Sequence, residues 1–383
     1  AYFPVEVNAN EEISFQVVHS FQRWGDHLLK QVTSIRFFNI YWHLSTGVSE
    51  TTCFTIPWML LNGEYVLIPD FRPYSGPFWP GQPQHDCQSW PGLLQYRAGG
   101  QRVRALYERT AFESITPNLA RFTMHYTTSD GAARVSMTAM EIPQSDETRT
   151  FLRVRYDWDK PVTIDGDARQ SFRWLNMNDK RVPRLLVWLD AAGKTQTKPA
   201  AANTQLLLGE PLAKEFPFVG THGIGPNQGF DDYSAFVLVR SFHAKLGGKD
   251  YDVPVVSSAY GDQTGNYWLT SPTEQLQLQP GDFVEAEVML MPHAEPVEPT
   301  LKPERERLRF GTEGPKVEQV TVGRKVADFP ATIEAQDEVA QFSLSGGHDA
   351  LPVIVKGFRH WSVPLLWDGA LWLNQQCHGG DGY

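Results

Sequence analysis

Three cysteines in 383 residues are too few for a disulfide framework, and Cys53, Cys87 and Cys377 show no C-x-x-C spacing for zinc. Cys53 and Cys87 can bridge in an exported protein or stay as buried thiols; the residues alone leave both open. Long apolar runs are missing, so no segment reads as a membrane span and no membrane partner is expected. The N-terminus lacks the charged, apolar, small-residue order of a secretory signal. Positive charge is scarce: 34 Lys and Arg stand against 44 Asp and Glu, a formal net charge of −10. The densest basic run, Lys302 to Arg309, alternates with Glu304 and Glu306. This argues against a nucleic-acid partner, which needs a clustered basic surface. Capped amphipathic stretches are absent as well. Trp24 to Gln31 is the only early segment with a helical look, and no internal repeat of fixed period occurs.

Rings and backbone punctuation are what the chain has in quantity, with 12 Trp, 13 Tyr, 22 Phe, 31 Gly and 27 Pro. They concentrate in residues 69–92, Pro69-Asp-Phe-Arg-Pro-Tyr-Ser-Gly-Pro-Phe-Trp-Pro-Gly-Gln-Pro-Gln-His-Asp-Cys-Gln-Ser-Trp-Pro-Gly92. Each Pro removes a backbone donor and fixes φ, while Gly relaxes it, so neither a helix nor a central strand can run through. A loop of this length is expected to be functional or to pack over a sheet. Its Tyr74, Trp79 and Trp90 rings stand beside Arg72, His85 and Asp86. Flat apolar faces with directional polar groups suit sugars, whose C–H faces lie on rings while their hydroxyls take hydrogen bonds.

The remainder reads as strands. Phe54 to Leu61 and Tyr65 to Ile68 flank Asn62-Gly63, the pair that two-residue hairpins favour. Leu119 to Thr128 alternates Ala120, Phe122, Met124 and Tyr126 against Arg121, Thr123, His125 and Thr127. Ser129-Asp130-Gly131 turns the chain into Arg134 to Ile142. With Thr128 opposite Ala133, Met124 faces Met137, Phe122 faces Ala139 and His125 faces Ser136. Arg149 to Trp158 supplies a third strand, giving a meander with one wet face. Arg121, His125, Arg153 and Arg155 on that face are either a groove floor or plain solvated surface. Further strands follow at short spacing, separated by turns and by the Gly-rich loop 223–233 that ends in Asp231-Asp232-Tyr233. That loop precedes a strand rather than a helix, which removes a phosphate-binding reading.

Roughly twenty short strands with turn residues between them, and little helix, indicate an all-β antiparallel β-sandwich or supersandwich of two packed β-rich halves. The expected organisation is a large β-domain over 1–291, a Pro-rich connector at 292–303 and a smaller, cut-short β-domain over 304–383. Both ends are expected to continue into further domains of a longer chain. The order of sheet-rich body, proline connector and β tail, with aromatic loops, resembles the galactose-mutarotase-like supersandwich of carbohydrate-active proteins over about residues 100–300. The resemblance implies a polysaccharide or oligosaccharide partner and a secreted or periplasmic location. It carries no catalytic motif residue by residue.

Two chemistries fit the residue types. A glycosidase needs two carboxyl groups about 5–10 Å apart, one held protonated; Asp86, Glu141, Asp146, Glu147, Asp231 and Asp232 are candidates. A polyuronate lyase needs a base such as His or Tyr and a cation to neutralise the substrate carboxylate; Trp42-His43, His85, His125, His222, Arg72 and Tyr74 supply those parts. The binding surface would draw on Trp42, His43, Arg72, Tyr74, Trp79, Trp90, Arg153 and Tyr233. No cofactor is required, although Asp165-Gly-Asp167 and Asp262 to Asn266 offer oxygen ligands for calcium without its full loop spacing. The competing expectation is a non-catalytic glycan-binding or structural module.

Overall fold

The computed structural model describes residues 33–38, 41–46, 49–55, 60–61, 64–65, 88–89, 96–116, 119–141, 150–171, 173–178, 184–201, 203–223, 234–260, 264–270, 273–293, 316–328, 331–345, 353–357, 365–368 and 371–374. Within them the fold is all-β and almost wholly antiparallel; the sole helical turn among the described residues is a 3-10 turn at Ala168–Gln170. Strands Ala331–Glu334 and Val353–Lys356 pair parallel, an exception to the antiparallel expectation.

Two sheets form the body. The larger holds ten strands, hydrogen-bonded in the order 195–200, 184–189, 218–223, 234–246, 283–293, 150–158, 133–141, 119–128 and 105–116, with 249–251 added beside 234–246. The smaller runs 204–211, 255–260, 264–270, 173–178 and 88–89. Their facing sides share one core. Phe122, Met124, Met137, Val154 and Tyr156 of the large sheet are sealed in the same cluster as Leu206, Leu207, Val256 and Leu269 of the small one. Large apolar side chains at alternate positions produce this, since a period of two puts every second residue on one face.

The meander has the register that alternation predicts: Phe122 opposite Ala139, Met124 opposite Met137 and His125 opposite Ser136. The turn is held by Thr128, whose buried hydroxyl takes the Ala132 and Ala133 N–H groups at 3.1 and 2.9 Å. Asp130 adds an acceptor to Ala132 at 3.0 Å and takes the Tyr96 hydroxyl at 2.8 Å. Leu60 and Leu61 pair antiparallel with Tyr65 and Glu64, the residues on either side of Asn62-Gly63. The expected helix at Trp24 to Gln31 lies outside the described residues.

The outward face of the large sheet departs from the expectation of one wet side. Around 150–158 it is charged, but across 184–189, 218–223 and 234–246 it carries a second apolar cluster: Val187, Leu189, Phe218, Phe236, Leu238 and Met289 are buried there. Phe151 packs against this cluster rather than standing with Arg153 and Arg155 in solvent. The run Phe236-Val-Leu-Val239 is apolar without alternation because both of its faces are covered.

Strand Ala105–Thr116 is outermost in the hydrogen-bonded order, and its pairing slips at Arg121/Phe122 and at His125/Tyr126. Each slip is a bulge that bends and twists the strand.

Candidate functional site

The two ends of the sandwich differ. At one, the chain closes on itself: Trp158 N–H bonds the Asp282 carbonyl at 2.9 Å and Leu212 N–H the Pro254 carbonyl at 3.0 Å. Asp282, about 1% exposed, takes the N–H groups of Gly247, Gly248 and Gln279 at 2.7, 3.1 and 2.9 Å. At the other end the strands hand the chain to longer connectors.

The register defines that second end. Leu290 lies opposite Thr150, Glu141 opposite Ala120 and His293 opposite Ser234. Further along, His222 lies opposite Ser234, Arg184 opposite both Gly223 and Ala200. In the small sheet Tyr260 is opposite Thr204 and Asn178 opposite Thr264 and Gln88. Links 179–183 and 201–203 join the two sheets here, and three residues reach only across the roughly 10 Å between packed sheets. Connectors 117–118, 142–149, 224–233 and 261–263 therefore all leave from one end, as does the chain arriving at Gln88.

Glu141 and His222 occupy strand positions at this end. Asp146 and Glu147 fall in the 142–149 connector, Asp231, Asp232 and Tyr233 in 224–233, and Asp262 in 261–263. Arg72, Tyr74, Trp79, His85, Asp86 and Trp90 lie outside the described residues, as do those connector positions themselves; His85 and Asp86 come two to three residues before Gln88. The topology thus brings together the points of departure of most candidates that were scattered in sequence.

Other candidates stand elsewhere. Trp42 and His43 belong to a separate three-stranded sheet, opposite Phe37 and Arg36 on one side and Phe54 and Cys53 on the other. His125 sits mid-strand on the outward face of the large sheet, opposite Arg109 and Ser136. Its pKa is lowered from the ordinary value by desolvation and by the Arg109 charge, against an opposing pull from Glu108. Arg153 is bound to Glu285, its Nε at 2.6 Å, and lies near Glu287 at 3.9 Å.

That outward face is an ion-pair ladder. Arg155 bonds Asp157 and Glu285, each at 2.8 Å, and its guanidinium covers the Phe283 ring at 4.7 Å. Arg240, only 13% exposed, pairs with Glu287. Arg121 meets Glu113 at 3.2 Å and Arg134 meets Asp159 at 2.7 Å. The arginines expected to line a groove floor are each matched to a carboxylate across or along the strands, so cation neutralisation of a polyuronate has competitors already in place. This charged arrangement gave no sequence signal, because Glu285 and Glu287 are more than 130 residues from Arg153.

Asp165 and Asp167, offered as oxygen ligands or as plain turn residues, each make turn contacts. Asp165 accepts the Gly100 N–H at 2.6 Å; Asp167 caps the 3-10 turn through the Arg169 N–H at 3.0 Å and binds the Arg169 guanidinium at 2.8 Å. The Arg169 guanidinium holds the Asp167 carboxyl below its usual range.

No protein-family model matches the sequence, and no curated protein matches it. Among solved structures the chain is similar to a GH36 α-galactosidase AgaA variant from Geobacillus stearothermophilus in complex with stachyose, at 8% identity and a TM-score of 0.40, over 77% of this chain and 45% of that one. It is similar to the α-galactosidase from Lactobacillus brevis at 11% identity and a TM-score of 0.36, over 70% and 39% of the two chains. For the Slr1438 protein from Synechocystis sp. PCC 6803 the values are 11% and 0.31, over 73% of this chain and all of that one. The chain spans about two fifths of the length of the galactosidases it matches. At these TM-scores the likeness transfers neither a residue role nor an activity.

Proposed function

We propose that the protein is carbohydrate-active, with its saccharide site at the connector-bearing end of the sandwich. The observation that carries this is the register: strand ends at Glu141, Thr150, His222, Ser234, Asn178 and Gln88 lie together, so connectors 142–149 and 224–233 start and finish at that end and the chain enters the small sheet there at Gln88. Binding sites are disproportionately built from loops held by a rigid scaffold. Carboxylates for proton transfer and rings for sugar faces would then share one surface. Asp146 and Glu147 are the proposed acid/base residues, with Glu141 and Asp86 as alternates, His85 or His222 as the base in a lyase reaction, and Tyr233, Trp79 and Trp90 as binding residues.

The test is turnover across a panel of neutral and acidic polysaccharides, followed by reducing ends and by the absorbance of unsaturated uronates. Asp146→Asn and Glu147→Gln should lower turnover by about a hundredfold or more where general acid/base catalysis operates. Full activity in both variants refutes their assignment. Retention of a polysaccharide in affinity gels without any turnover would leave the second reading, a glycan-binding module.

A further inference from the structure

Residues opposite one another in adjacent strands line up in rows across the sheet, and on the outward face of the large sheet three such rows surround His125. On one side of it Thr123 lies beside Thr138 and then Arg153; on the other, Thr127 lies beside Arg134 and then Asp157. Both of these rows spend their polar groups within the fold. Thr123 meets Thr138 at 2.7 Å and donates to Glu113 at 2.8 Å, while Arg153 is held by Glu285. Thr127 donates to Glu108, Arg134 pairs with Asp159, and Asp157 pairs with Arg155.

The row between them runs Arg109, His125, Ser136 and then Arg155. Arg155 is tied to Asp157 and Glu285. Among the described residues the Arg109 guanidinium, the His125 imidazole and the Ser136 hydroxyl have no hydrogen-bond or ion-pair partner. Arg109 is exposed and the other two are partly exposed, so all three open on solvent. Water satisfies exposed polar groups anywhere; what sets this row apart is its sign. Arg109 is the one cation of the three rows without a carboxylate among the described residues, whereas Arg134, Arg153 and Arg155 each have one. The imidazole's pKa is lowered first by desolvation and then by Arg109, whose charge outweighs the opposing pull of Glu108. Glu108 itself is turned to Thr127. The field over His125 is therefore positive, in a chain whose formal net charge is −10.

We infer that Arg109, His125 and Ser136 form a subsite for an oxyanion carried by a saccharide, the carboxylate of a uronate or a sulfate ester. Opposed residues in neighbouring strands stand about 5 Å apart, so an anion above His125 is within reach of the guanidinium on one side and the hydroxyl on the other. All three groups can donate to it: the guanidinium through its N–H fork, the hydroxyl through O–H, and a neutral imidazole through its ring N–H. Hydrogen bonds to an ionised acceptor are the stronger class. A bound anion also offsets the Arg109 charge and favours the imidazolium form. The inference rests on the carbohydrate reading above and adds to it a second surface, away from the connectors, with a preference for acidic sugars.

The experiment titrates the imidazole C–H NMR signals of the full chain, with His125 assigned through His125→Gln. It is run without ligand and with trigalacturonate, a sulfated galactan oligosaccharide or a neutral galactan oligosaccharide. An acidic ligand should raise the His125 pKa by about one unit, and the neutral one should leave it in place; the two acidic arms tell carboxylate from sulfate ester. Arg109→Gln should weaken binding about tenfold or more, as loss of a charged hydrogen bond does, and should remove the rise measured against the variant's own ligand-free value. Ser136→Ala should weaken binding about threefold or more. Both positions open on solvent, so melting temperature should hold in each variant. Acidic ligands that leave His125 unmoved overturn the inference, as does a rise that survives Arg109→Gln or that the neutral oligosaccharide matches. Inorganic sulfate giving the same rise at the same concentration overturns it too, because the sugar then adds nothing. In each of these cases, retention or turnover of any polysaccharide by the wild type leaves the carbohydrate reading standing. A wild type that neither retains nor cleaves any polymer sinks the carbohydrate reading itself, and this inference with it.

Discussion

Asp282→Ala tests how the closed end is held. The carboxylate is about 1% exposed and accepts three backbone N–H groups at 2.7–3.1 Å, from Gly247, Gly248 and Gln279. Each such bond contributes about 1–1.5 kcal/mol net, and a donor left dry costs somewhat more. Gly247 and Gly248 are exposed, so water can reach their N–H groups once the carboxylate is gone. The expected loss is therefore near the sum of three ordinary bonds, about 3–4 kcal/mol. Asp282→Asn keeps one acceptor oxygen and should recover about 1–2 kcal/mol of it. Urea unfolding followed by tryptophan fluorescence measures this, and Trp158, whose N–H bonds the Asp282 carbonyl, lies within the perturbed region. Because the substitution is at the end remote from the connectors, glycan retention at temperatures where the variant stays folded should be unaltered. A shift below about 0.5 kcal/mol would show that the turn holds without the carboxylate, and the reasoning from satisfied donors would fail.

Two further outcomes follow from the outward face of the large sheet. Arg240→Ala leaves the half-buried Glu287 with the more distant Arg153 among the described residues and should cost about 2–3 kcal/mol, whereas Arg153→Ala, at an exposed position, should cost about 1 kcal/mol or less; equal losses in thermal unfolding would contradict this ranking. His125 should titrate below about 6.5 in its imidazole C–H NMR signals. Between that folded value and 6.5 the unfolded chain binds more protons, so this residue's contribution to stability is present above 6.5 and is lost as pH falls toward the folded value. A midpoint at or above 6.5 would remove the desolvation and the Arg109 charge as dominant causes.

The meander was legible because Phe122, Met124 and Tyr126 alternate with Arg121, Thr123 and His125, and one tight turn then sets every later pair. The second apolar cluster was not, since Phe236-Val-Leu-Val239 shows that both faces are covered without showing which face meets which cluster. Hairpins such as Tyr96–Val103, turned by Gly99 and Gly100 at positive φ, were missed because their strands are only three residues long. The candidate site was least legible of all. Its candidates come from connectors with no periodicity, and the common end from which those connectors leave depends on pairings between strands as distant as Gln88 and Asn178 or Ser234 and His293. The same distance hid the partners of Arg153: the charge was visible, its neutralising carboxylates were not.

The two register slips along Ala105–Thr116 have a consequence for self-association. A flat outermost strand is a template onto which a second molecule can add its own, and long β-proteins court fibril growth by that route. Twelve residues of straight backbone would be an ample template. Interrupted twice, the strand offers only short stretches of regular spacing before its pattern of N–H and C=O groups falls out of step with an incoming chain.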